Sequence, residues 1–279
     1  MRFADLVRVI ETTAPLSIAA AWDHSGIQVA TRRGEISRLA VCLDPLPCHL
    51  ASALEQGAEM ILSHHPLALE PRLPDRADAY HAALSLLFRA DAALYAAHTS
   101  LDANPAGPVG WLGRELGLLP LEGASGHVLQ VLEPTGSMTH EGREIACGFG
   151  VVGALPTALT PEALAHALAP WTGGVAVRLA GRLPERIRRV AVCPGAGVSL
   201  AAEAAAYGAD VLITGDLKHH QALEAPLPIL DVGHFSLEEE MMRRFAADLD
   251  RAIGKTPGGV SVCFVPGRDP LRPLFSVAG

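Results

Sequence analysis

The chain has 279 residues, which at about 150 residues per domain means one large domain or two ordinary ones. It is 49% hydrophobic and 19% charged, too apolar for a disordered protein and apolar enough to bury a sizeable core. The net charge of -8 excludes a chain-wide basic footprint for nucleic acid, though not a local basic groove.

The opening stretch FADLVRVIETTAP predicts a helix, with Phe3, Leu6, Val7 and Ile10 on one face and Pro15 just beyond its end. A strand over 38–44 follows, then a helix over 47–57 closed by Gly57, and a buried strand over 58–66. Residues 77–90 predict a helix, and 92–102 a strand running into a loop. A short helix is expected over 110–118. In the middle, 126–185 predicts two strands flanking a helix that starts at Thr160-Pro161, a good N-cap and first-turn pair. A strand over 188–195, a helix over 198–207 and a strand over 209–216 come next. The last helix is expected over 236–253, with Ser236 as its cap. This alternation argues for an α/β fold with a largely parallel core.

The chain carries one internal repeat. Shifted by 151, residues 38–63 lie over 189–214 without a gap. Arg38/Arg189, Ala40/Ala191, Cys42/Cys193, Gly57/Gly208 and Ala58/Ala209 are among the identical pairs. Two generic βαβ units in an Ala-rich chain can look alike, so the match admits a bland explanation. The functional one is two related halves facing each other. His64-His65 and Gly215-Asp216 would then meet near one cleft, outside the carboxyl ends of strands, where open α/β sheets bind ligands.

Cys42, Cys48, Cys147, Cys193 and Cys263 are odd in number, widely spaced and lack a C-x-x-C, which argues against a disulfide framework and a thiolate zinc site. The N-terminus has acids at Asp5 and Glu11 and no apolar core of a signal peptide. No run of 18 apolar residues occurs, so no membrane span is expected. The expectation is a soluble, reduced, cytoplasmic protein.

Histidine carries the chemistry. His64-His65 ends an apolar strand, and strand twist can let both rings reach one cleft. Imidazole is a common ligand for first-row metals. His98-Thr-Ser-Leu-Asp102 also lies where a strand ends; Asp102 offers a hard oxygen, or simply serves a turn. Gly233-His234 with Glu238 falls at a helix start, where acids also suit the helix dipole. Together His64, His65, His234, Asp102 and Glu238 are enough for two cations with positions left for water. In Gly215-Asp216-Leu-Lys218-His219-His220, Lys218 and His220 suit a substrate anion or proton transfer, unless this is a solvated loop. Gly148-Phe-Gly150-Val-Val-Gly153 satisfies G-x-G-x-x-G, but Pro156 intervenes and the next helix waits until Thr160. Dinucleotide binding is not expected there.

Trp22-Asp23-His24-Ser25-Gly26-Ile27-Gln28-Val29, Ser63-His64-His65-Pro66, His98 to Asp102, Gly215 to His220, and Gly233-His234 with Glu238 stand in an order that resembles the NIF-three-like family, the "GTP cyclohydrolase 1 type 2 homologs". The resemblance runs from about residue 3 to 267 and implies two similar α/β lobes around a cleft holding two divalent transition-metal ions, in a ring-shaped homo-hexamer. Carried over residue by residue, the metal ligands would be His64, His65, Asp102, His234 and Glu238. His98, Lys218 and His220 would line the site as catalytic residues. The lobes are expected over 1–123 and 124–279, without the extra middle domain of longer relatives. One departure is His24, where the family usually has Asn; it either adds a ligand or replaces a structural amide. Nitrogen and oxygen donors suit Zn, Fe, Mn, Co or Ni. Two functions stay open. One is a metal-dependent hydrolase acting through activated water on a nucleotide or other small phosphorylated substrate. The other is a non-enzymatic metal-binding protein, for storage, insertion or protein interaction.

Overall fold

Short apolar runs punctuated by Gly, Pro and capping residues decide where the elements fall. The computed structural model describes residues 1–122, 124, 128–172, 177–254 and 259–271. In chain order these form α1 (Phe3–Thr13), β1 (Gly26–Val29), β2 (Arg38–Cys42), α2 (Pro47–Glu55), β3 (Met60–Ser63), α3 (Ala79–Ala90), β4 (Ala93–Ala96) and α4 (His98–Asp102). Then come α5 (Trp111–Glu115), β5 (Gln130–His140), β6 (Arg143–Leu159), α6 (Pro161–Leu168), β7 (Arg178–Ala180), β8 (Ile187–Val192), α7 (Ala201–Ala206) and β9 (Val211–Thr214). The series ends with α8 (His219–Glu224), β10 (Ile229–Asp231), α9 (His234–Leu249) and β11 (Ser261–Phe264). Two units result: Met1–Leu101 with Met241–Gly267, and Asp102–Glu240 with Arg268–Gly279. The expected lobe junction at 123/124 involves residue 123, which lies outside the described residues.

The first unit is built on a five-stranded sheet in the order β1-β4-β3-β2-β11. Strands β2, β3, β4 and β11 run parallel, and β1 closes the edge antiparallel to β4. Every residue of β3 and β4 is buried, as expected of parallel strands covered on both faces. Ala40, Ile61 and Leu94 pack with Leu50 and Ala53 of α2 and with Leu84 and Leu87 of α3. Each buried leucine or isoleucine of this kind contributes roughly 1.5–3 kcal/mol. Pro47 suits the first turn of α2, and Asp78 caps α3 by accepting from His81 N at 3.0 Å.

The second unit has a six-stranded sheet in the order β5-β6-β8-β9-β10-β7. Its parallel core is β8, β9 and β10; β5, β6 and β7 pair antiparallel. Both sheets are therefore mixed, with the expected parallel strands at their centres. Thr160 caps α6 by accepting from Ala163 N at 3.2 Å, as its position before Pro161 predicts. The stretch before that cap holds a long hairpin, β5 and β6, where sequence suggested one strand. Gly148–Gly153 lies inside β6, so no helix opens at its third glycine.

The repeated segments share their registers. Leu39 pairs with Met60 and Val190 with Val211; Val41 pairs with Leu62 and Val192 with Ile213. Both partners differ by the same 151 positions. Arg38 and Arg189 each donate to the carbonyl of the residue before the turn glycine, Gln56 and Tyr207. Gly57 and Gly208 sit at φ +81° and +69°, the left-handed turn that favours glycine.

Two local expectations are corrected. Residues 98–102 form α4 rather than a loop. Helix α9 starts at His234, so Ser236 lies inside it and does not cap it; its hydroxyl reaches the Thr172 carbonyl at 3.5 Å. Among the described residues, no helix is long and apolar enough to cross a membrane.

Candidate metal centre

In the first unit, three histidines gather at the carboxyl ends of parallel strands. His64 and His65 follow β3, and their N–H groups donate to the Leu43 carbonyl beyond β2, both at 3.1 Å. His98 follows β4 and its N–H donates to the His64 carbonyl at 2.9 Å. The ring centroids lie 5.0 Å (His64–His65), 5.6 Å (His64–His98) and 6.0 Å (His65–His98) apart. His64 is buried, and His98 is held at φ +27°, a strained value for a side-chain-bearing residue.

Two of these rings are oriented by carboxylates. His65 Nδ1 lies 2.7 Å from Asp44 Oδ1, and His98 Nδ1 lies 2.8 Å from Asp23 Oδ1. A carboxylate accepts, so each Nδ1 carries the proton and each Nε2 keeps its lone pair for another partner. Asp23 also accepts from His24 N at 2.7 Å and Ser25 Oγ at 2.6 Å. Burial works against its charge, but the bonds from His98, Ser25 and Thr99 hold its carboxyl well below the usual range. The Trp22–Val29 segment therefore positions His98 through Asp23, while the His24 side chain is exposed. Asp44 is the partner of His65 that sequence reasoning missed. A lone aspartate after a strand has the same pattern as a turn former.

The second unit repeats the device at the ends of β9 and β10. His234, first in α9, places Nδ1 2.8 Å from Asp216 Oδ2 and Nε2 2.7 Å from Glu238 Oε2 one turn on. Asp216 itself takes φ +58°. Burial opposes a charge on His234, but Glu238 and Asp216 outweigh it and push its pKa up to about 9. Glu238 is buried. Gly195 makes room for it: a Cβ there would stand 2.2 Å from Glu238 Oε1, and its φ is +69°. Gly215 likewise admits the His234 backbone, since a Cβ would meet His234 N at 2.4 Å. Asp102 ends α4 and is half-buried. The Cys193 thiol lies in the field of both Asp102 and Glu238; burial first, then these carboxylates, drive its pKa upward and keep it protonated. Asp216 lay within a motif the sequence singled out, but nothing there marked it as the partner of His234.

Lys218 and His220 stand on an ordered turn. Lys218 precedes α8, and its N–H donates to Gln221 Oε1 at 3.1 Å. Lys218, His219 and His220 are exposed.

The donor chemistry fits divalent transition metals. His64 and His65 in the first unit and Glu238 in the second are candidate metal ligands. All are nitrogen or oxygen donors, and Asp44 and Asp216 are the carboxylates that typically orient metal-binding imidazoles from behind.

Comparison with known proteins places the chain in a family. The family model described as Duf34/NIF3 (NGG1p interacting factor 3) matches residues 1–270. A Streptomyces coelicolor protein named "GTP cyclohydrolase 1 type 2 homolog" is 32% identical over 256 residues, covering 89% of this chain and 86% of the relative. A Clostridium perfringens protein of the same name is 28% identical over 267 residues, covering 91% and 97%. Among solved structures, a Bacillus cereus protein related to NIF3 superposes with TM-score 0.82 at 20% identity, covering 98% of this chain and 99% of that one. Reduced HcgD from Methanocaldococcus jannaschii gives 0.75 at 24% identity, covering 95% and 98%. The carboxylate-held histidines thus sit in a shared mixed α/β fold, and the chain belongs to the Duf34/NIF3 family.

Proposed function

We propose that the protein is a dinuclear metal-binding hydrolase acting on a nucleotide or other small phosphorylated substrate. The observation that carries this is the matched carboxylate–histidine device, Asp44–His65 and Asp23–His98 in one unit and Asp216–His234 in the other. Such pairs raise imidazole basicity and fix the ring, which a merely structural histidine does not need. His64, His65, Asp102, His234 and Glu238 would hold two divalent ions, of Zn, Fe, Mn, Co or Ni. When bound, such ions supply a water that ionises near neutral pH and polarise a phosphoryl oxygen.

The chain's own residues divide the work in this scheme. Asp44, Asp23 and Asp216 orient rings and hold the Nδ1 protons. His98, kept in place by Asp23, is the group for proton transfer. Lys218 and His220 receive the substrate anion from solvent. The shared registers of 38–63 and 189–214 support two lobes of related origin. We assign the working form to a cytoplasmic homo-hexamer.

Elemental analysis followed by hydrolase assays with added metal tests the proposal. Turnover of a phosphorylated substrate should require metal and vanish in His64→Ala. Metal bound at two ions per chain with no turnover across the panel would instead favour a storage, insertion or adaptor role.

A further inference from the structure

Parallel strands β9 and β10 end side by side, and the two turns beyond them carry Asp216 and His234. The first turn runs from Thr214 through Gly215, Asp216 and Leu217. The second runs from Asp231 through Val232 and Gly233 into α9. Asp216 at φ +58° and Gly233 at φ +88° bend both turns through the left-handed region. The 2.8 Å contact between Asp216 Oδ2 and His234 Nδ1 therefore depends on how the two turns are spaced.

One side chain spans both turns. Asp231 Oδ1 accepts from Gly233 N at 3.0 Å, and Oδ2 accepts from Leu217 N at 3.1 Å. Gly233 directly precedes His234 and Leu217 directly follows Asp216, so each bond lands one residue from a member of the pair. Asp231 is only 3% exposed, and a buried carboxylate needs hydrogen bonds and a counter-charge. Arg178 of β7 supplies the charge. Its guanidinium bonds Asp231 Oδ2, and the same nitrogen reaches the Leu217 carbonyl at 3.5 Å. Leu217 is thereby held at both its N–H and its carbonyl.

The other sheet closes without such a pair. Ser63 and Thr214 are counterparts in the repeat, 151 positions apart. Thr214 lies in register with Asp231, and Asp231 with Arg178 on an antiparallel edge strand. Ser63 lies in register with Ala96, and Ala96 with Gly26 on an antiparallel edge strand. Alanine and glycine thus occupy in the first unit the places that carboxylate and guanidinium occupy in the second. The ion pair is an addition to the repeated pattern, set where the Asp216 and His234 turns leave the sheet.

We propose that Asp231, with Arg178 as its counter-charge, is a positioning residue that sets the Asp216–His234 contact by holding the backbone of both turns. The assignment stands on this network of contacts; its consequence for metal binding rests on the function proposed above.

Asp231→Asn in the full chain tests it. The amide keeps the shape of the carboxylate but replaces one acceptor by a donor, which faces a backbone N–H and breaks one of the two bonds. In the metal-free protein, nitrogen-edited NMR reads the Nδ1 proton that His234 shares with Asp216, assigned by its absence in His234→Gln. This signal should shift or disappear in Asp231→Asn, and cobalt(II) affinity should fall about tenfold or more. Ile229→Val trims the buried core of the same strand and should lower the melting temperature while leaving both readouts unchanged. Arg178→Gln is the second variant, because its side chain is 65% exposed and its loss leaves the fold intact; the signal should move in the same direction. A parent-like His234 signal in folded Asp231→Asn, or in Arg178→Gln where Asp231→Asn does not fold, would overturn the proposal. So would an equal loss of signal in Ile229→Val, which would make Asp231 a sheet residue only. A parent chain that takes up no cobalt(II) would count against the metal reading alone, since the NMR signal still decides the role of Asp231.

Discussion

His65 Nδ1 lies 2.7 Å from Asp44 Oδ1, at the ends of the neighbouring parallel strands β3 and β2. The contact takes up the Nδ1 proton and leaves Nε2 of His65 as an electron-pair donor. Asp44→Asn keeps the shape but weakens the acceptor and lets the ring turn. Its metal affinity should fall about 10–100-fold, with little change in melting temperature. Equilibrium dialysis at limiting metal reads this directly. An unchanged affinity would make Asp44 a loop residue only.

The carboxylates Asp102 and Glu238 separate a metal site from a structural one. If they are ligands, Asp102→Ala and Glu238→Ala each lower metal occupancy while an apo fold persists. If they only serve a turn and a helix start, each substitution costs about 1 kcal/mol and leaves metal unchanged. Elemental analysis together with melting temperature distinguishes the two. Lys218→Ala and His220→Ala should keep full metal and lose turnover, because both side chains stand in solvent.

Gly195→Ala offers an independent approach to Glu238. The added methyl group would stand 2.2 Å from Glu238 Oε1, and the φ of +69° disfavours any side chain. The substitution should destabilise the protein by about 1–3 kcal/mol and displace the carboxylate. Denaturant titration checks the first effect and metal stoichiometry the second. Full metal occupancy in this variant would argue against Glu238 as a ligand.

The raised pKa of His234 sets a pH signature in the metal-free protein. Its folded value of about 9 lies above the ordinary histidine value near 6.5, so the folded state binds the extra proton more tightly. The resulting stabilisation is fully present below about pH 6.5 and is lost as pH rises through about 9. Denaturation of the metal-free chain across that window should show this loss, and His234→Gln should abolish it. Metal loading below pH 9 should also release a proton, which calorimetry in buffers of different ionisation enthalpy would detect. Identical pH profiles for parent and variant would contradict the assignment.

The five cysteines of the sequence are free thiols in the structure. All should titrate in denatured, unreduced protein. Recovery of two or fewer would contradict a reduced state.

What the sequence determined by itself was local. Thr160-Pro161 announces α6 because a cap and a first-turn proline act on adjacent backbone groups. The buried runs of β3 and β9 and the shared pattern 151 residues apart are visible because neighbouring side chains must meet the same apolar surroundings. The histidines at strand ends were visible for the same reason, since the strands they terminate were. Tertiary structure alone decided the rest. Strand β11 pairs with β2 from more than two hundred positions away, and nothing in its own residues names that partner. Strand β10 is three residues long, too short for a period. Asp44 and Asp216 read as ordinary loop acids until the fold sets them behind His65 and His234. A residue's type states which protons it can give or accept, but the direction in which an imidazole presents its lone pair depends on a carboxylate brought to it by the packing of other strands.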